Sequence, residues 1–258
     1  MRSLITWMGG PDGTINPNPG TAIESRHCAV GLMDMAPGNR QPGVHTHTMT
    51  EIYVILEGTV ESIDGVGNKH IAGPLDCLYI PKGVPHGVRT VGDVHVKLLW
   101  VNDAIERWGV SVYQEGPGPH PAVYPDEPEV SVIPFLDLEP SWLAPRAKEP
   151  GFMRWNVSWV GSTLTGANYN PDQAAQNARI GLSLSVLQPA NRMSDAAAPG
   201  NALHVVVRGR GVIASSGQPQ VIGPQDAIFC PAGECVDLRA LDATPLYLVR
   251  IQEPVAST

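Results

Sequence analysis

Two short stretches of this 258-residue chain carry the residue types that do metal chemistry. His45-Thr46-His47 sets two imidazoles at i and i+2, which on a β-strand project from one face. Glu51 follows after three intervening residues, and Gly58 after six more, giving the pattern HxHx3Ex6G. Downstream, Pro81-x-Gly83-x2-His86 brings a third imidazole just past a tight turn. Three neutral nitrogens and one carboxylate oxygen suit one divalent transition metal: Fe, Mn, Co, Ni or Zn. Four protein ligands on an octahedral ion would leave two positions for a chelating substrate, or for substrate and dioxygen. An HxH pair alone is a weak signal, because strand histidines usually pack or face water. The two patterns together predict a metal site at His45, His47, Glu51 and His86.

The elements that must hold these residues read as strands. The chain has 27 glycines and 25 prolines, which punctuate short apolar runs such as Ile52–Leu56, Cys77–Ile80, Val94–Val101, Gly181–Leu187, Val205–Val207 and Leu246–Ile251. Short strands between Gly and Pro turns predict an all-β sandwich or barrel. Helical signals are few. Asn170-Pro171-Asp172 followed by Gln173–Arg179 has the pattern of a capped short helix, and Asp103–Trp108 reads as another. From about 114 to 150 the chain is rich in Pro and acidic residues, as in a connector.

An internal repeat decides the organisation. Pro37-Gly38-Asn39-Arg40 returns as Pro189-Ala190-Asn191-Arg192, and Val54-Ile55-Leu56-Glu57-Gly58 as Val205-Val206-Val207-Arg208-Gly209. Gly73-Pro74-x-Asp76-x4-Pro81-x-Gly83 returns as Gly223-Pro224-x-Asp226-x4-Pro231-x-Gly233. A tandem period of roughly 150 residues means duplicated domains. The expected division is 1–125, a connector over 126–150, and 151–258.

The two site patterns resemble the motifs of the cupin superfamily, and with the degenerate repeat the whole resembles a bicupin. The resemblance implies two tandem jelly-roll β-barrels, with the metal inside the first. Three positions depart from the family pattern. The step from Gly38 to His45 is one residue longer than usual, Thr90 stands where asparagine is common, and the spacer from Gly58 to Gly73 is short. The resemblance implies no single reaction, since the fold hosts dioxygenases, decarboxylases, isomerases, cyclases and non-enzymatic proteins.

The second copy lacks the ligands. Val236 stands at the counterpart of His86, and Ala202 at that of Glu51, or His204 if the loop is aligned two residues differently, while Asp195-Ala196-Ala197-Ala198-Pro199 offers no imidazole pair. His204 falls at the Tyr53 position, as a core or pocket histidine. Residues that recur, Arg40 with Arg192 and Asp76 with Asp226, read as scaffold. In the first half Tyr53 shares the face of Glu51 and is a candidate catalytic group. Met33 and Met35 read as core, His95 and Lys97 as outward groups, and Cys77 and Tyr79 as inward ones. Arg154 and Trp155 are candidates to close over the site.

The bulk composition excludes several classes. A net charge of −8 without a basic cluster argues against nucleic acid or an anionic membrane as partner. No run reaches membrane-spanning length, and the four scattered cysteines read as reduced, so the expected compartment is the cytoplasm. No nucleophilic triad, phosphate-cradling loop or dinucleotide fingerprint is present. The reading is a metal-dependent enzyme on a small organic substrate, best described as an Fe(II)-type dioxygenase of a phenolic or enediol compound. The rivals are an oxygen-independent Lewis-acid isomerase, decarboxylase, cyclase or lyase, and a non-catalytic binding protein. Self-association as a homodimer stays open.

Overall fold

The computed structural model describes residues 2–10, 22–105, 112–116, 118–123, 129–144, 146–161, 175–194, 199–214 and 218–253. The chain divides into two compact units, 1–136 and 137–258. In the first unit β1 (Arg2–Gly9), β2 (Ile23–Glu24), β3 (Ala29–Met35), β4 (His45–Thr46), β5 (Glu51–Glu57) and β6 (Thr59–Asp64) come first. They are followed by β7 (Lys69–Ala72), β8 (Cys77–Ile80), β9 (His86–Val91), β10 (Val96–Asn102), β11 (Val112–Tyr113) and β12 (Ser131–Ile133). One sheet has the order β12-β8-β5-β10-β3-β1-β2 and the other β11-β4-β9-β6-β7.

The second unit opens with β13 (Arg154–Gly161), β14 (Ala175–Gln176), β15 (Gly181–Leu187), β16 (Arg192–Ser194) and β17 (Ala202–Arg208). It closes with β18 (Gly211–Ile213), β19 (Gln220–Ile222), β20 (Ala227–Cys230), β21 (Asp237–Ala240) and β22 (Leu246–Gln252). Its sheets run β20-β17-β22-β15-β13-β14 and β16-β21-β18-β19. These are the orders of the first unit without β11 and β12. The protein is all-β, two tandem jelly-roll barrels of one topology.

Strand register fixes which side chains point into each barrel, because alternate residues take opposite faces. In the first unit Tyr53 lies opposite Leu78 on β8 and Trp100 on β10, and Trp100 lies opposite Gly31 on β3. The inward set, with Met33, Met35, Ile55, Val60, Ile80, Val88, Val96 and Leu98, forms one buried cluster. Burying such a side chain stabilises the fold by about 1.5–3 kcal/mol. Met33 and Met35 are core residues, as expected. His95 pairs with Asp34 and Lys97 with Glu57 on the outside.

Two sequence expectations fail. Cys77 and Tyr79 lie opposite Val54 and Ile52, while Leu78 and Ile80 point into the barrel. All four residues of β8 are buried, so its apolar run carries no alternation from which the phase could be read. The described end of the expected 173–179 helix, Ala175–Gln176, is instead β14, parallel to Val160–Gly161. Asn177 then turns the chain, its Oδ1 accepting the amides of Arg179 and Ile180. Pairing on the edge of β13 outweighs a local capping signal. The rest of that helix reading, and all but the start of Asp103–Trp108, fall outside the described residues. No helix among the described residues is long and apolar enough to cross a membrane.

The turn chemistry of the repeat is duplicated. Asp76 Oδ2 accepts the Gly73 amide at 2.8 Å, and Asp226 Oδ2 accepts that of Gly223 at the same distance. Arg192 pairs with Asp237, and Arg40 is exposed beside Arg89. None of the four cysteines is joined in a disulfide.

Candidate metal centre

His45 begins β4, His47 follows it, Glu51 opens β5 and His86 opens β9, so the ends of three strands supply the four residues. His45 lies opposite His86 in the ladder. All four side chains are buried, and their ligand atoms lie within 4.8 Å of one another. Glu51 Oε2 stands 2.8 Å from His86 Nε2 and 3.0 Å from His47 Nε2. The three imidazole rings have centroids 4.5–5.2 Å apart.

Local sequence sets this geometry. Gly83 has φ +73°, which favours glycine, and its amide donates to the His47 carbonyl at 2.7 Å. That bond ties the turn before His86 to the segment holding the histidine pair. Gly58 has φ +74°, and a Cβ there would lie 2.5 Å from the His95 carbonyl oxygen. Thr90 donates to the carbonyls of Ala36 and Asn39, fastening β9 to the turn before β4.

The electrostatics suit a cation. Burial, followed by the charge of His86, pushes His45 down to about 4, so its imidazole is neutral and has a lone pair to give. Burial alone would raise Glu51, but the charge and hydrogen bonds of His47 and His86 outweigh it and hold the carboxyl well below its ordinary value. His86 Nδ1 donates to the Val84 carbonyl at 2.9 Å, which turns Nε2 toward the carboxylate. With Nδ1 so committed, only a proton or a cation reconciles a nitrogen lone pair with a carboxylate oxygen at 2.8 Å. Donors about 2.1 Å from a common ion lie at most about 4.2 Å apart, so this set need contract only slightly to close on one. The cluster fits one divalent metal. Among the described residues it is the one His/Glu group of this kind.

Tyr53 lies one step along the same face from Glu51 and is fully buried, its hydroxyl accepting the Gln41 amide at 3.1 Å. Gln41 in turn accepts the Val88 amide of β9 at 2.9 Å, so Tyr53 is braced across both sheets. Three polar groups were missed from sequence. Asn102 lies opposite Glu51 and Trp100 opposite Tyr53, and the buried atoms Asn102 Nδ2 and Trp100 Nε1 have no hydrogen-bond partner. Ser62 Oγ, opposite Val88, is also unpartnered. Asn102 closes a mostly apolar strand and Ser62 sits on a mixed one, TVESID, so register is what aims both inward beside Trp100. Tyr113 of β11 stacks against His45 with centroids 5.2 Å apart.

Residues 31–102, which include all four clustered residues, match the family model of the cupin domain. The first barrel therefore carries a cupin domain. Structural likeness extends over both units. A protein of Pseudomonas aeruginosa described as glyoxylate-induced is similar with TM-score 0.65 and 12% identity, over 100% of this chain and 81% of its own. The oxalate decarboxylase of Lactobacillus farciminis, solved with formate, gives TM-score 0.59 and 14% identity, over 91% and 79%. The oxalate decarboxylase of Bacillus subtilis, which has Mn(II) centres, gives 0.56 and 15%, over 91% and 71%. At these identities the likeness is one of fold. No curated protein sequence matches the chain.

Proposed function

We propose that this cupin is a metal-dependent enzyme in which His45, His47, Glu51 and His86 hold one divalent transition metal, and that it is a dioxygenase of a phenolic or enediol compound. The observation that carries the metal reading is the convergence of three buried imidazoles on one buried, ionised carboxylate. A bound metal supplies Lewis acidity to a chelating hydroxyl and, when redox-active, a centre for dioxygen chemistry. The chain's own residues do the rest. Glu51 is ionised and accepts the proton that such a hydroxyl loses. Tyr53, braced by Gln41, presents a hydroxyl to the substrate, and the unpartnered donors of Asn102 and Trp100 face the same interior and orient its oxygens. Met33 and Leu98 supply an apolar wall suited to a flat ring.

The test is elemental analysis joined to oxygen uptake. Fe(II)-reconstituted protein should consume oxygen with a catechol-, hydroquinone- or enediol-type compound, and Zn(II) protein should not. Glu51→Gln should lower turnover more than binding. A second reading keeps the ion as a Lewis acid in an oxygen-independent decarboxylation or isomerisation, as two structural neighbours are oxalate decarboxylases. Equal turnover by Zn(II) protein without oxygen would establish that reading in place of the first.

A further inference from the structure

The second barrel has an interior of a different kind. Register places Arg154, Asn156 and Ser158 of β13, Ser183 and Ser185 of β15, Arg250 and Gln252 of β22, and His204 of β17 on the inner face. They share that face with Leu187, Val206, Leu246 and Leu248 of the apolar cluster. All of the polar ones are buried except the half-buried Arg250. One row across the sheet reads Ser158, Ser183, Arg250, His204, Ile228. Among the described residues, none of the inward positions of β13, β15, β17 and β22 carries Asp or Glu.

These groups are held in place by partners and still have donors to spare. Gln252 Nε2 donates to the carbonyls of Gly200 and Asn201, at 2.9 and 3.0 Å, which fixes its amide. Its Oε1 accepts Arg250 Nη2, fixing the guanidinium. Ser185 Oγ donates to Asn156 Oδ1, which leaves the Asn156 Nδ2 hydrogens to point elsewhere. Arg250 Nε, Asn156 Nδ2 and His204 Nδ1 are buried without a hydrogen-bond partner. Buried polar groups are normally paired, and a buried charge without a counter-charge is costly. The fold does not require this set. At the matching positions the first barrel has Gly31, Trp100, Tyr53 and Leu78, and it closes equally well.

We propose that the second barrel binds a small oxyanion, a carboxylate- or phosphate-bearing molecule, through Arg250, Asn156 and His204. Burial first, then the charges of Arg250 and Arg154, depress the His204 imidazole, so His204 joins as a neutral hydrogen-bonding group. An oxyanion accepts the three unpartnered nitrogens and supplies the negative charge that the wall lacks. The site is independent of the metal reading, because none of its residues belongs to the first unit.

Calorimetric titration of the full chain, stripped of metal with chelator, tests this with sodium malonate and sodium phosphate at constant ionic strength. One saturable site per chain is expected for at least one probe, malonate alone marking a carboxylate ligand and phosphate alone a phosphate ligand. Arg250→Met and Asn156→Leu should each weaken it at least tenfold with an unchanged circular dichroism spectrum, and Arg250→Lys should fall between. Should Arg250→Met not fold, Asn156→Leu decides. His86→Ala should leave the affinity as it is, which separates this site from any chelation in the first barrel. No saturable binding of either probe, or undiminished affinity in the folded variants, would overturn the proposal.

Discussion

The two barrels share every paired strand of their main body and differ in what they turn inward. Where the first has Glu51 and His86, the second has Ala202 and Val236. Where the first lays Trp100 against Gly31, the second sets Arg250 beside Ser183. Positions that the backbone dictates are the same in both. Gly58 and Gly209 have φ +74° and +81°, and a Cβ on either would fall 2.5 or 2.6 Å from a carbonyl oxygen. Gly83 and Gly233 have positive φ, and Asp76 and Asp226 cap the same turn. The fold is thus specified by a sparse set of turns and one apolar stripe, which leaves the remaining inward positions open to other chemistry.

The sharpest way to break this comparison is to remove a ligand. His86→Ala should reduce metal, read by elemental analysis, from near one per chain to a small fraction of that. The melting temperature of metal-free protein should change little, because the apolar cluster does not depend on the ion. Metal near two per chain in the unaltered protein would remove the distinction between the halves.

Core deletion should cost both halves alike. Leu98 and Leu248 are fully buried at matching positions, so Leu98→Ala and Leu248→Ala should each lower stability by about 2–5 kcal/mol. Chemical denaturation followed separately for each variant measures this, and a much smaller loss in one unit would mark it as loosely packed. Gly58→Ala and Gly209→Ala should each cost about 1–3 kcal/mol, from left-handed strain and the carbonyl clash. Unequal losses would show that one turn relaxes.

The smallest effect concerns pH. Burial, then the charges of Arg250 and Arg154, hold His204 down to about 3, against an ordinary value of 6.5. The unfolded chain therefore takes up this proton first. The associated stability is fully present above pH 6.5 and is lost as pH falls toward 3, at up to about 1.4 kcal/mol per unit. His204→Gln should flatten that loss in melts at pH 7 and pH 5, run without oxyanion buffers. An unaltered slope would place the acid sensitivity elsewhere.

Much of this was legible in the residues. Cys77–Ile80 and Gly181–Leu187 are strands with the bounds read from sequence, because Pro and Gly bracket them. His45, His47, Glu51 and His86, singled out from their spacing, lie together in one buried cluster. What stayed hidden depends on phase. Ser183, Ser185 and Asn156 alternate with apolar neighbours as residues of a water-facing strand would, and only register turns them inward. β14, β11 and β4 are two residues long, too short for any periodicity, and are strands because an edge was there to pair with.

The amide of Gly83 on the carbonyl of His47 bears on the order in which the molecule assembles. His45, His47 and Glu51 emerge from a ribosome well before His86, and the bond that draws the fourth donor in spans a long loop of chain. A nascent or half-closed barrel offers three donors at most. Tight metal capture is then a late event, coupled to closure between β4 and β9, and the rate at which metal is taken up by refolding chains reports the completion of the first barrel.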